Sequence, residues 1–478
     1  MIVVDSKKGC KTNRVTTRRV KSAKRGLQRS CSAGNSVVII IFIFGTCLVL
    51  AVTVPLRATN LSSETYPPKI VAKLVDAEPN KQERLGSKSE RQTKTEKSGV
   101  VRWSAKRRQF TINGVDYGFT GLPLIYYSPS TNWNYGMRLQ WVDYRRRPYR
   151  YKLTVFFQNS TSKRKSYFIK FKVPRISGTG FGLRLIGSVK HDIRARYYGL
   201  GNDSEFNKGY VDRDHECNCY IDEDYYHYTL RSPRLLMSLL REVYGPVLLS
   251  VGFGLERTDV DSRKQSSINH PPDGVTDGIT GFASAMLNWD TRDDPVIPRT
   301  GTFHEWSYES SRNSLLGLLF EQIDFQRWTF TDIRYIPLTD RLNFAHRTVI
   351  DVLKGTIPLY AYGEIGGSRR MKGLGGAESL RGFDRQRFTD KVRFITNSEM
   401  RYHVRSDRMF KQYLEWHSVI FVDSGQVQPS LKRLDALDLH WSFGFGQRLY
   451  WNSDFVIRLD IGFSAEQSYT GFKYRNIF

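Results

Sequence analysis

Tyr151–Gln158 reads YKLTVFFQ, and near the end of the chain Phe455–Ser464 reads FVIRLDIGFS. In the second stretch Phe455, Ile457, Leu459, Ile461 and Phe463 make one apolar row, while Arg458, Asp460 and Ser464 fall on the other side. Successive side chains of a strand point to opposite faces, so this two-residue alternation predicts strands. The same texture recurs in SYFIKFKV (166–173), GLRLIGSV (182–189) and RLNFAHRTVIDVL (341–353). Turn-rich stretches such as NSTSKRK (159–165) and DRDHEC (212–217) separate them. From about residue 110 onward there are roughly sixteen such segments and no long amphipathic helix between them.

So many antiparallel strands need an answer to their free edges, and closure into a barrel removes edges altogether. Lipid outside and a polar lumen inside produce an apolar/polar alternation at about ten residues per strand. A soluble β-sandwich has the same period. Three features favour the membrane barrel: an export-type segment near the N-terminus, a polar overall hydropathy, and a terminal strand, GFKYRNIF, that spaces Phe472, Tyr474 and Phe478 on one face.

Composition agrees. The 478 residues include 26 Tyr, 28 Phe and 38 Gly but only 7 Met, which leans towards β structure. The net charge of +26 first suggests nucleic acid or anionic lipid. However, residues 1–36 carry ten Lys or Arg against Asp5 alone, and residues 57–108 carry thirteen against six acids. Most of the excess therefore lies ahead of the strand-rich region. No folded nucleic-acid motif accompanies it, and no nucleic-acid partner is expected. Five cysteines occur, with only Cys217 and Cys219 downstream of the apolar segment; this is not a disulfide framework.

Val37–Leu56 is a run of twenty uncharged residues after a basic stretch. It fits a signal peptide with an over-long basic region, cleaved near Ala51 or Ala58, or a single membrane anchor. Residues 1–36 also look like an organelle transit peptide. Residues 59–108 include EPNKQERLGSKSERQTKTEKSG and can bury no core, so a disordered linker is expected. The expected organisation is a leader or anchor over 1–58, a linker over 59–108 and a β-barrel over 109–478.

Gly375–Phe388, GGAESLRGFDRQRF, places Arg381 among glycines that tolerate unusual backbone angles. It reads either as an exposed basic loop or as a loop tip folded into a confined space. ESLRGF resembles the loop motif of the bacterial surface antigen family, the BamA/TamA-like outer-membrane barrels. Other segments match that family in order. PLIYYSPSTNWNYG (Pro123–Gly136) resembles the first strand and hairpin of its short members. YYGLGN (Tyr197–Asn202), DTRDDPVIPRTG (Asp290–Gly301), DIRYIPL from Asp332 and IPLYAYGEIGG follow. FVDSGQV (Phe421–Val427), GFGQR (Gly444–Arg448) and IRLDIGFS close the series. Each is weak alone; together, across residues 118–478, they are specific.

The resemblance implies a transmembrane antiparallel barrel of sixteen strands whose loop folds back into the lumen. Arg381 would pair there with Asp423, Gly382 would let the tip turn, and Phe383 would pack. Glu378 and Arg385 would extend the network. Asp290, Arg292, Asp293, Gly301, Gly425, Gly444, Gly446 and Arg448 would support it, and Phe478 would end the terminal strand. The role implied is assembly or translocation of outer-membrane proteins, by a monomeric barrel in the outer-membrane bilayer, with nascent outer-membrane proteins or assembly-complex proteins as partners. Two departures stand out: no POTRA domain fits within 57–108, and Asn476 occupies a terminal position where an apolar residue is expected. A non-catalytic surface barrel or pore, and an organelle outer-envelope relative, remain alternatives.

Other constellations point to no enzyme, cofactor or metal. DRDHECNCYIDED (Asp212–Asp224) offers ligand types without zinc-knuckle or EF-hand spacing and reads as an acidic loop. DTRDD reads as a salt bridge with Arg292. Trp103, Trp133, Trp141, Tyr126 and Tyr127 fit membrane-interface girdles. No phosphate-binding loop, Gly-x-Ser-x-Gly or His-Glu-x-x-His occurs.

Overall fold

The structure, a computed structural model, describes residues 109–478 except 129–130, 147–148, 263–264, 270–276, 312–323, 369–370, 410–411, 452–454 and 475, together with 41–43 and 46–48. The chain divides into two units, Met1–Arg91 and Gln92–Phe478. In the first, β1 (Ile41–Ile43) and β2 (Thr46–Leu48) form a short antiparallel pair. The rest of the leader-or-anchor segment, the 59–108 linker and Trp103 lie outside the described residues. Among the described residues no helix is long and apolar enough to cross a membrane, which says nothing of strands.

The second unit is a β-barrel. Its strands are β3 (Gln109–Ile112), β4 (Val115–Ser128), β5 (Asn132–Asp143), β6 (Tyr151–Ser160), β7 (Lys165–Val173), β8 (Phe181–Arg196), β9 (His227–Tyr244) and β10 (Val247–Asp261). There follow β11 (Gly278–Asp290), β12 (Gly301–Ser310), β13 (Phe325–Pro337) and β14 (Leu342–Gly355). A long connection then holds α1 (Leu359–Tyr362) and a small hairpin of β15 (Glu364–Ile365) and β16 (Met371–Lys372). The barrel resumes with β17 (Val392–Met409), β18 (Gln412–Gln428), β19 (His440–Trp451), β20 (Phe455–Ser464) and β21 (Ser468–Lys473). Seventeen strands stand in one order that returns to its start. The extra one relative to the expected sixteen is β3. Asn113 and Gly114, both at positive φ, make the tight Asn-Gly turn that folds β3 onto the start of β4.

Sequence alternation decides which face looks inward. On β18, Ile420 and Val422 are exposed on the outer face, while Val419, Phe421 and Asp423 are buried in the lumen. On β19, Phe443 and Phe445 point out and Ser442 and Arg448 point in. Trp289, Trp306, Trp328, Trp416 and Trp441 are all exposed, as a lipid-facing surface requires. Trp133 and Tyr127 pair edge to face on the outside, 5.7 Å apart, and Trp141 stacks among Phe110, Tyr117 and Phe119. Tyr126 departs from the girdle reading: its hydroxyl accepts from Gln158 Nε2 at 2.9 Å, and its ring meets Phe472 and Tyr474 at the seam.

That seam joins the last strand to the first. β3 covers β4 as far as Gly118, and Phe472 and Tyr474 meet Tyr126 higher up. Between these contacts Tyr474 packs on the buried Leu122 and Leu124. Pro123 sits in this stretch, opposite Met137 of β5. β21 has six residues against fourteen in β4. The chain does not end on a strand closed by Phe478, as was expected. β21 stops at Lys473, and Phe478 turns into the lumen, buried against Ile333, Tyr335 and Ala345. Arg347 and Arg401 lie over its ring at 5.3 and 5.0 Å, a fixed aromatic face for two lumenal cations. Asn476 serves this inward course: its amide donates to the Val296 carbonyl at 2.7 Å and accepts from Tyr450 at 3.2 Å.

Replacing outward Phe445 by Arg should cost about 2–4 kcal/mol if it lies near mid-bilayer. Urea unfolding of the protein in lipid vesicles measures this; a cost near zero would mean that this face does not meet lipid.

Candidate functional site

The connection between β14 and β17 enters the lumen. Its apolar side chains make the core: Ile365, Met371, Leu374, Leu380, Phe383 and Phe388 pack on Val349, Ile395 and Val427 of the walls. Apolar burial of this kind stabilises a loop that would otherwise carry its ordering entropy uncompensated. At the tip, Arg381 is fully buried. Its Nε and Nη2 donate to the two oxygens of Asp423 at 2.7 Å each, a bidentate fork, and its backbone amide adds a third bond to Asp423 at 3.1 Å. Nη1 donates to Glu399 Oε1 at 2.6 Å and reaches Asp460 Oδ2 at 3.5 Å. The guanidinium stacks 3.4 Å from the ring centroid of Phe421.

A buried charge needs this much company. Burial works against the Arg381 cation, but the Asp423, Glu399 and Asp460 carboxylates outweigh it and hold the group above its ordinary range. The carboxylates have further cations of their own. Arg448 donates to Asp460 at 2.5 Å and to Glu399 at 3.0 Å, and Arg401 donates to Glu399 at 2.8 Å. Arg458 lies 3.3 Å from Asp460 and donates to the Ala377 carbonyl of the loop at 2.5 Å. Asn397 bridges Asp423 and the Ser379 carbonyl, and Arg347 holds the carbonyls of Glu378 and Ile477.

Close approach makes the pairing possible. Gly382 has φ +116, and its position lies against Phe463 and Ser442. A methyl on Gly462 would fall 2.8 Å from the carbonyl carbon and oxygen of Arg381. One on Gly444 would strike the Ile461 carbonyl and the Phe421 ring, and one on Gly446 would occupy the place of the Asp460 carboxylate. Gly425 is similarly filled by Leu374.

The loop is tied to other walls as well. Arg327 and Arg393 donate to the α1 carbonyls of Ala361 and Tyr362, both at 2.6 Å, and Asp351 pairs with Arg393 while accepting from the Gly366 amide. Arg385 reaches Asp192 of β8 at 2.9 Å. Asp384 takes Arg196 and the Tyr198 hydroxyl; burial opposes its charge, and the Arg196 guanidinium nonetheless keeps its carboxyl below the usual range. Arg387 pairs with Glu466 at 2.8 Å and donates to the Ser204 carbonyl. Asn202 accepts from the Val427 amide and donates to the Asp438 carbonyl. The YYGLGN stretch is therefore a clamp on both the loop and the β18–β19 connection.

The predicted residues thus divide. Arg381, Gly382, Phe383, Asp423, Gly425, Gly444, Gly446 and Arg448 come together. Asp290, Arg292, Asp293 and Gly301 do not join them: they build the β11–β12 turn. Arg292 forks onto Asp290 there at 2.8 and 2.7 Å, Asp293 accepts from the Arg299 and Thr300 amides, and Gly301 at φ +94 abuts the Thr291 carbonyl. Phe478 is a lumenal anchor rather than a strand-end residue. Glu378 enters through its carbonyl, and Arg385 turns to the opposite wall. Cys217 and Cys219 are joined in a disulfide.

The family model of the Omp85 superfamily domain matches residues 128–475. The chain belongs to the Omp85 superfamily. No curated protein shows a sequence match. Among solved structures this Omp85 chain is similar to BamA from Haemophilus ducreyi lacking POTRA domains 1–3, at 12% identity, 76% of this chain, 68% of that one and a TM-score of 0.46. It is similar to CdiB from Escherichia coli at 11% identity over 75% and 59% of the two chains, TM-score 0.46. CdiB from Acinetobacter baumannii follows at 14%, 74% and 59%, with a TM-score of 0.43. The chain thus spans little more than half the length of either CdiB.

Glu399, Asp460, Asn397 and Gly462 were missed in the sequence reading of this Omp85 barrel. A signal existed. Arg393, Asn397, Glu399 and Arg401 share one parity on β17, and Arg458, Asp460 and Gly462 share one on β20, so each set lines the lumen once the apolar parity is assigned outward.

Arg381→Ala should leave carboxylates buried without their main partner and cost about 3–5 kcal/mol. Urea unfolding in vesicles reads it, and the loop should become a protease target; an unchanged midpoint with full protection would sink the idea. Gly462→Ala should raise the tip off its floor by overpacking, at about 1–3 kcal/mol, while heat-modifiable gel mobility is kept. A Gly462→Ala midpoint equal to the parent's would mean the loop does not need that close approach.

Proposed function

We propose that this barrel resides in an outer membrane and takes part in assembling or translocating other outer-membrane proteins, without catalytic chemistry of its own. The carrying observation is the seam. A six-residue last strand and an inward-turned tail meet the fourteen-residue β4 through the side chains of Leu122, Leu124, Tyr126, Phe472 and Tyr474. A strand edge of this kind offers backbone donors and acceptors to an incoming extended segment. The loop is the counterpart of that edge. Arg381, held by Asp423 from β18, Glu399 from β17 and Asp460 from β20, ties together the strands nearest the seam and keeps the lumen filled at rest. In this reading Arg381–Asp423 is a latch, nascent outer-membrane strands are the partners, and the basic stretch 57–108 recruits anionic partners or headgroups.

Cysteines at Tyr126 and Phe472, whose rings lie 5.6 Å apart, test the seam when joined by a short reducible cross-linker. Vesicles containing the cross-linked protein should lose the ability to speed insertion of an unfolded outer-membrane barrel, and reduction should restore it. Insertion at the parent rate with the seam tied would favour a structural barrel that displays its loops.

A further inference from the structure

At the barrel end that holds the β13–β14 turn, β17 and β18 carry a second polar cluster that adjoins the Arg381 network: His417 stands opposite Arg448, and His403 lies two residues past Arg401. The β14 ladder on β17 ends at Leu342 and Tyr402, and His403 is the next residue. His403 stands directly opposite His417 of β18, and a register shift follows immediately between His403 and Arg405. Glu415 lies two residues before His417 and so on the same face. One ligating atom from each of His403, Glu415 and His417 falls within 4.8 Å of the others. His417 is buried; His403 and Glu415 are half-buried.

We propose that His403, Glu415 and His417 form a zinc-type divalent cation site at this rim. Two imidazoles and one carboxylate are a donor set suited to zinc, with a fourth position left for water. Hard cations such as calcium and magnesium take oxygen donors instead. Donors in a tetrahedral zinc shell lie about 3.4 Å apart, so the side chains need to close in by up to about 1.4 Å from an already convergent arrangement. In the metal-free geometry both imidazoles have hydrogen-bond partners. His417 Nε2 meets Glu415 Oε1 at 2.6 Å, and His403 Nε2 meets Ser406 Oγ at 2.7 Å. The His403 and His417 rings lie 5.1 Å apart, and Tyr450 packs edge-on against His417 at 5.0 Å, fixing the buried ring. Arg448, opposite His417 in the ladder, opposes a cation, so the Glu415 carboxylate is the charge that the site depends on. A bound ion would clip β17 to β18 at the end of the β14 ladder, where the His403 amide still donates to the Arg341 carbonyl at 2.8 Å. The sequence reading expected no metal here, because His403 and the Glu415-x-His417 pair lie on different strands and share no recognised spacing.

The test uses tag-free full chain refolded in detergent, with a heat-dependent gel shift to establish folding and prior treatment with a chelator. Zinc is titrated against a chromogenic indicator, and cobalt is followed by its visible absorption. One equivalent should bind, with the intense cobalt bands of a four-coordinate site. His403→Ala and Glu415→Gln should each weaken binding at least about tenfold. His215→Ala, beside the Cys217–Cys219 disulfide, should leave it unchanged. If buried His417→Ala fails to fold, half-buried His403→Ala still decides the matter. Binding that survives His403→Ala, or an indicator that keeps its zinc against the parent protein, overturns the proposal and leaves a hydrogen-bonded rim pair only.

Discussion

A guanidinium with no access to water sits at the centre of this barrel, and much of the interior follows from keeping it paired. Arg381 requires a forked carboxylate, and Asp423 supplies it. Glu399 and Asp460 complete the ring, and these acids in turn need Arg401, Arg448 and Arg458. Ions buried this deeply are stable only as a connected set, because losing one strands its partner in a low-dielectric interior. The set draws on four strands and a loop, so it ties β17 through β20 to a segment that enters from the far side of β14. The glycines on β19 and β20 are part of the same solution. They clear the volume into which the carboxylates and the loop backbone fit.

The barrel wall answers a different constraint. Every strand needs a hydrogen-bonded neighbour on both edges when water is absent. From β4 to β21 the ladders meet that need directly. At the junction of β21 with β4 the match is partial, and side chains take over. Tyr126 meets Phe472 and Tyr474, while the tail beyond Lys473 leaves the wall and fastens to Arg347 through the Ile477 carbonyl. The one weakly laddered junction therefore borders the strands that the Arg381 cluster ties together. Loop, tail and seam form one mechanical neighbourhood rather than three separate features.

The opposite wall is held by the loop's basic run. Arg385, Arg387 and the acid Asp384 reach Asp192, Ser204, Arg196 and Tyr198, so the loop bridges the lumen rather than lining one side. This explains why its sequence is both glycine-rich and heavily charged. The glycines permit the close turns, and the charges have specific partners on two walls. An exposed basic loop, the simpler reading of GGAESLRGFDRQRF, would have left those charges in water.

How much was legible can be traced residue by residue. Alternation in stretches such as FVIRLDIGFS was enough for strands, a barrel and a polar interior, because a two-residue period is a property of each segment alone. The loop motif marked Arg381, Gly382, Phe383 and Asp423, and the structure brings them together. The Asn-Gly pair at 113–114 held the seventeenth strand in plain view. Asp290, Arg292, Asp293 and Gly301 were named with the latch as a family motif; the strand-end salt bridge of Arg292 with Asp290 was legible locally, while their distance from the latch was not, since nothing in a linear sequence states which strand ends meet. Phe478 had the composition of a strand-end residue, and its inward course depends on Arg347, Arg401 and Tyr335 from three other strands. Local periodicity was decided by the sequence itself. Which charges share the lumen, where the chain end goes and which histidines face one another at the rim were decided only by the register of strands far apart in sequence, which sets distances that no single segment encodes.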